Sequence, residues 1–282
     1  MQFFLGCAVW AYKGWLGDFY PAGSQSADFL QLYSQRLTTV EGNTTFYVTP
    51  DRPTLARWRE QVTPGFQFCL KLPRSVSHQG ALRSTLPDAL AFLEQMQDLG
   101  DHLGPMFLQL PPGYSPDQWE DLGTFLKAWP RSQALALEVR HPDWFQVPAS
   151  HRLQTLLEDL GVGRVLLDSR PIYDCPDDPQ LHSERRKPQL PLHPTVTAPF
   201  ALVRYISHPT AQFNDVYFQE WVGIVQGWLQ QGIHVYFFVH CPLEKRSPDN
   251  ARSFQHWLEA ASVPVPPLPW EHLGGEQQLS LF

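Results

Sequence analysis

Phe200-Ala201-Leu202-Val203-Arg204-Tyr205-Ile206 and His234-Val235-Tyr236-Phe237-Phe238-Val239 are two short runs of aliphatic and aromatic residues. Between them, residues 215–230 read as a helix. Strand, helix, strand is a βαβ unit, because strands that run in parallel need a crossover where a hairpin needs only a turn. Working outward, six more runs of the same kind occur at 3–9, 38–43, 66–72, 106–110, 134–139 and 164–168, and the eight starts lie about 28 to 40 residues apart. Helical segments fall between them. Phe29, Leu30, Tyr33 and Leu37 share helical spacing, Pro53 opens a segment carrying Leu55 and Trp58, and 86–99, 116–129, 152–160 and 248–261 follow. Eight strands alternating with helices predict a TIM (β/α)8 barrel over residues 1–262.

The alternation breaks once. Residues 171–199 are rich in proline and contain Glu184-Arg185-Arg186-Lys187, which leaves little room for a helix, so a long loop is expected in place of the sixth helix. It starts at a strand's C-terminal end, the side where barrel enzymes carry their sites. Residues 263–282 form a separate tail. Val263-Pro264-Val265-Pro266-Pro267-Leu268-Pro269 is a stiff spacer, Gly274-Gly275 a hinge, and Gln278-Leu279-Ser280-Leu281-Phe282 an apolar tip that calls for a partner.

Composition narrows the function. With 282 residues, 43% hydrophobic and 17% charged, the chain has ample material for a core. A net charge of -7 argues against coating nucleic acid through phosphate contacts alone and leaves room for a local basic pocket. The four cysteines fall in no CxxC or metal spacing and read as reduced thiols. No window approaches a membrane span, and the short apolar start lacks a basic region, so a cytoplasmic protein with no membrane partner is expected.

At their C-terminal ends the strands deliver Trp10, Glu41, Asn43, Lys71, Gln109, Glu138, Arg140, Asp168, Arg204 and His240. Ionisable groups at buried strand ends are costly unless paired, so such a set is either an internal network or a ligand site. Lys71, Arg140 and Arg204 come from alternate strands and suit a shared anion, with Trp10, Asn43, Gln109 and His141 as further ligand contacts. Glu41, Glu138 and Asp168 are the candidate proton-transfer groups; the alternative is that they neutralise the cations. The aromatic stretch 9–21 offers a stacking platform, Trp10 foremost. A divalent metal on His141, Asp168, His208, His240 and a glutamate is conceivable, although no HxH or HxxxH spacing supports it, so no metal ligand is assigned and the cofactor stays open. Phosphate-loop, dinucleotide, nucleophile-elbow and HExxH signatures do not occur.

Gly6-Cys7-Ala8-Val9-Trp10-Ala11-Tyr12, Trp15-Leu16-Gly17-Asp18-Phe19-Tyr20-Pro21 and Val40-Glu41-Gly42-Asn43-Thr44-Thr45-Phe46-Tyr47 together resemble the YecE-like family, a domain of unknown function. Phe68-Cys69-Leu70-Lys71-Leu72-Pro73, Phe107-Leu108-Gln109-Leu110-Pro111-Pro112 and Glu138-Val139-Arg140-His141-Pro142-Asp143-Trp144 extend the match in order. The resemblance implies a TIM barrel similar to those of the xylose-isomerase and endonuclease-IV-like group, which act on sugars or on DNA phosphodiesters, often with metals. The chain departs from the family pattern at Ser207-His208, where many relatives have histidine and glycine, and at His240-Cys241-Pro242, where asparagine is common. Gln278-Leu279-Ser280-Leu281-Phe282 is similar to the pentapeptide by which bacterial replication and repair proteins bind the DNA polymerase sliding clamp. The leading expectation is a clamp-associated protein that binds or acts on DNA or another phosphate-bearing ligand, in the manner of a phosphodiesterase or nuclease. The competing ones are a sugar or sugar-phosphate enzyme and a non-catalytic ligand-binding adaptor.

Overall fold

The computed structural model describes residues 2–183 and 186–271. The described residues hold eight strands: β1 (Phe3–Cys7), β2 (Thr39–Gly42), β3 (Gln67–Leu70), β4 (Met106–Gln109), β5 (Leu135–Glu138), β6 (Gly163–Asp168), β7 (Phe200–Ile206) and β8 (His234–His240). Each lies on one of the expected apolar runs. Helices α1 (Phe29–Ser34), α2 (Arg52–Gln61), α3 (Arg74–Ser77), α4 (Leu82–Met96), α5 (Trp119–Ala128), α6 (Ala149–Leu160), α7 (Asp215–Gln230) and α8 (Ser247–Ala260) separate or follow them. Local chemistry sets several boundaries. The Asp51 carboxylate accepts from Thr54 N at 2.9 Å and Pro53 sits in the first turn of α2, while Gly161 ends α6 at a φ of 62° that favours glycine.

All strand pairs are parallel, in a six-stranded sheet of order β1-β8-β7-β6-β5-β4 and a two-stranded sheet β2-β3. Hydrogen bonds join the two sheets at both margins. Thr38 N donates to Leu5 O at 3.1 Å and Leu5 N to Thr38 Oγ1 at 2.8 Å; Leu72 N donates to Phe107 O at 3.0 Å. At the first margin a Cβ on Gly6 would lie 2.0 Å from Thr39 O, so only glycine lets β1 and β2 approach this closely.

Between β6 and β7 the described residues hold no α-helix, only a single turn at Arg170–Ile172, as the prolines dictate. The segment is nonetheless tied down. Ser169 Oγ donates to Pro188 O at 2.9 Å, Lys187 N to Gln180 Oε1 at 2.7 Å, and Leu190 packs on Leu167, Ile172 and Ile206.

The strands carry two apolar faces. One set, including Leu5, Leu108, Leu137, Leu166, Val203 and Phe237, packs against the helices in the main core. The other, including Phe4, Phe107, Val165, Leu202, Tyr236 and Phe238, forms a separate inner cluster, with Phe4 and Tyr236 stacked at 4.7 Å. Because successive side chains point to opposite sides, that inner set fixes which residue at each strand end faces inward. No helix among the described residues is long and apolar enough to cross a membrane.

Candidate functional site

Two residues past the inner cluster, the chemistry changes from apolar to ionic. Leu202 leads to Arg204 on β7, Phe238 to His240 on β8, Cys69 to Lys71 after β3, Phe107 to Gln109 on β4, and Ala136 to Glu138 and then Arg140 on and after β5. Glu41, in register with Cys69, joins them from β2.

Arg204 is the hub. Its Nε and Nη2 donate to Glu41 Oε2 and Oε1, both at 2.8 Å, and its Nη1 donates to Glu138 Oε2 at 2.5 Å. Asn43 Nδ2 donates to Glu41 Oε1 at 2.6 Å, and His240 Nε2 to Glu41 Oε2 at 3.0 Å. Four donors thus occupy the Glu41 carboxylate, which is fully buried. Burial alone raises a carboxyl, but Arg204 and His240 outweigh it and hold Glu41 well below the usual range. Glu138 is likewise driven up by burial and then brought down to about 2 by Arg204, Arg140 and Lys71. Burial also dominates at His240, which falls to about 4 despite Glu41 and is therefore neutral near pH 7. Two of the three carboxylates expected to move protons, Glu41 and Glu138, are held as anions in an ion-pair network, since protonating either weakens its bonds to Arg204.

Lys71 and Arg140 are arranged differently. Arg140 Nε donates to Glu138 Oε1 at 2.7 Å, but its Nη2 and the Lys71 Nζ converge on one neutral acceptor, Gln109 Oε1, at 2.7 and 2.8 Å. Lys71 Nζ also stands 3.9 Å over the Phe46 ring. Burial and the neighbouring Arg204 bring the Lys71 ammonium down to about 7. Arg204 and Arg140 are paired with Glu41 and Glu138, whereas Lys71 Nζ has only the Gln109 amide oxygen as a hydrogen-bond partner among the described residues.

Alternation also explains which expected residues stand apart. On β6 Val165 faces inward and Leu166 outward, so Asp168 falls on the outer side. There it accepts from Arg170 N at 3.1 Å, Arg170 Nε and Nη2 at 2.9 Å each, and Trp221 Nε1 of α7 at 2.8 Å. His141, one past Arg140, turns away as well, and its Nδ1 accepts from Asp143 N at 3.3 Å. Trp10 lies beyond the end of β1 and packs edge-on against Trp58 and Phe68, at 5.1 and 6.2 Å between ring centres. Its neighbours Trp15, Phe19 and Tyr20 are buried. In the stretch expected as a stacking platform, these four aromatics are core, while Tyr12 is half-buried.

The conceivable metal set of His141, Asp168, His208 and His240 is dispersed among separate networks. Cys175, Asp177 and His208 do come together, their ligand atoms within 4.8 Å of one another. The donor chemistry does not suit an ion: His208 Nδ1 accepts from Thr210 N at 2.9 Å, which leaves the proton on Nε2, where it faces Asp177 Oδ1 at 3.1 Å.

Three contributors were not anticipated. Phe46 supports Lys71; Lys187, from the long loop, and Glu244, after β8, both lie within electrostatic reach of Glu41. Burial raises Glu244 to about 7 and, with Arg204, lowers Lys187. The loop residues carry no sequence pattern that tells where they fold back. A cavity of about 720 Å³ opens at the opposite end of the strands, beside Gln67, Phe200, His234 and Tyr236, away from the charged layer.

The family model described as Protein of unknown function DUF72 matches residues 4–273. The chain belongs to the DUF72 family. It is 34% identical over 293 residues to the UPF0759 protein YecE of Escherichia coli strain K12, covering 99% of each chain, and 33% identical to that of strain O157:H7 with the same coverage. Among solved structures it is similar to a DUF72 family protein from Thermotoga maritima, with a TM-score of 0.70 and 20% identity over 92% of this chain and 100% of that one. One from Enterococcus faecalis gives a TM-score of 0.68 and 16% identity over 92% of this chain and 96% of that one. At these identities the DUF72 structures speak to fold alone.

Proposed function

We propose that this DUF72 chain is a closed TIM (β/α)8 barrel that binds a phosphate-bearing ligand, DNA or nucleotide-like, where Lys71 and Arg140 meet, and that its tail tethers it to the bacterial sliding clamp. Barrel closure is supported by hydrogen bonds at both margins between the two sheets. The ligand reading is carried by one observation: two cations share the neutral oxygen of Gln109. Glu138 is paired with Arg140, but the amide oxygen adds no negative charge for Lys71, so an anion placed between the two cationic heads would be favoured. Arginine supplies a planar fork, lysine a point charge. Arg204 is saturated by carboxylates and positions the layer; it does not take the ligand.

Titration with inorganic phosphate and phosphate esters by calorimetry tests the reading. Binding is expected in wild type, weakened about tenfold or more in Arg140→Ala, since hydrogen bonds to charged groups contribute about 1.5–3 kcal/mol. No binding to wild type would leave the layer as a structural network. The clamp contact rests on Gln278-Leu279-Ser280-Leu281-Phe282, which lies outside the described residues.

A further inference from the structure

The loop from β2 to α2 carries two kinds of residue within a few positions. Thr45 Oγ1 donates its one proton to Lys71 O at 2.6 Å, with Gly42 O also within reach at 2.9 Å, pinning the loop beside Lys71, and Phe46 beside it is buried under the lysine. The next two side chains do the opposite. Tyr47 and Val48 are each 71% exposed, the one adjacent pair among the exposed large apolar residues of the described chain. They stand over a cleft of about 560 Å³ that runs from Thr44 to Pro50 and Trp58. Single exposed apolar residues are ordinary, whereas a paired apolar shelf at the rim of a cleft marks a binding surface.

The rings join the shelf to the cations. Lys71 Nζ lies 3.9 Å from the centre of Phe46, and Phe46 meets Tyr47 edge to face at 5.2 Å. The lysine and the exposed ring are therefore separated by no more than those two steps together, the span from the phosphate to the base of one nucleotide. An occupant that reaches from the cleft past Phe46 to the cations would offer negative charge at one end and a flat apolar face at the other.

We infer that the cleft takes the base of a nucleoside phosphate, its ring against Tyr47 and its phosphate on Lys71 and Arg140. This rests on the anion-binding reading above and adds the chemistry of the ligand's other end. Stacking on an aromatic side chain tolerates any base, because every base has a π-face.

Calorimetry with three probes, adenosine monophosphate, ribose 5-phosphate and inorganic phosphate, tests the inference with Lys71 protonated. In wild type the nucleotide is expected to bind about 5- to 100-fold more tightly than either other probe, the range that stacking on one aromatic supplies. Tyr47→Ala should remove that advantage and leave phosphate affinity unchanged; Tyr47→Phe should keep it. Tyr47 is on the surface, so neither change threatens the fold. Equal affinity for all three probes, or nucleotide binding indifferent to Tyr47→Ala, would overturn the inference while the anion site stands. Ribose 5-phosphate matching the nucleotide would assign the cleft to a sugar and overturn it too. If none of the three binds wild type, the anion reading fails and the inference with it.

Discussion

Lys71 is the cation of the charged layer that titrates near neutrality. Burial lowers it most, Arg204 and Arg140 add repulsion, and Glu138 and Glu41 oppose them, with about 7 as the outcome. The sign of the consequence follows. Below about 7 the ammonium is present and could hold the proposed anion; above it the charge is lost. Sulfate, which does not itself titrate in this window, is expected to bind more weakly as pH rises through about 7. Lys71→Met should bind it weakly at every pH, which separates Lys71 from Lys187; calorimetry across the window decides, and a flat wild-type profile would remove Lys71 from the site. Stability responds on both sides. Because the unfolded lysine keeps its ordinary 10.5, the unfolded chain binds more protons between about 7 and 10.5 and stability rises across that interval. Glu138 acts in the acid range: its contribution is complete above its ordinary 4.5 and is lost as pH falls through about 2.

At the scale of a single strand, the alternation of side chains sorts the charged layer from the outer packing. Asp168 ends β6 as Glu138 ends β5, yet one faces α7 and the other the charged layer. Asp168→Asn is therefore expected to lower stability by about 1–3 kcal/mol, read from urea unfolding, through weakened bonds to Arg170 and Trp221. Sulfate affinity should not change. A large loss of anion binding with stability intact would place Asp168 in the site after all. The eight strands were legible because each is an apolar run bounded by polar residues, and the strand-end cations because charge at the end of such a run is unusual. Which side each residue takes was also written there, in the two-residue step from Leu202 to Arg204 or Phe238 to His240, but reading strand ends without that step admitted Asp168 and His141. Lys187, Glu244 and Tyr47 lie on loops, where no periodicity links position in the chain to position in space. The four-residue α3 is too short to show a helical stripe.

For the molecule as a whole, a net charge of -7 disfavours unaided approach to DNA. The proposed tether would offset that by raising local concentration without any basic surface. Leu281 and Phe282 offer about 3–6 kcal/mol of gross burial against association costs of about 4 kcal/mol or more, so at most a weak contact is expected from the tail. Polarisation with purified clamp, comparing wild type with the Leu281→Ala, Phe282→Ala double variant, reads it directly: binding by wild type alone supports the tether, and equal signals rule the tail out.

The pairing of β1 with β8 joins residues 3–7 to residues 235–239. Of the described strands, the first in the chain is thus bonded to the eighth. At synthesis rates of about 5–20 residues per second, Phe3-Phe4-Leu5-Gly6-Cys7 waits on the order of 10–50 s for its partner, one edge of an apolar strand open throughout. Loop closure over so long a stretch makes the final step slow, and an unpaired edge is the form in which strands associate with the wrong chain. The nascent protein is accordingly most prone to aggregate just before its eighth strand emerges.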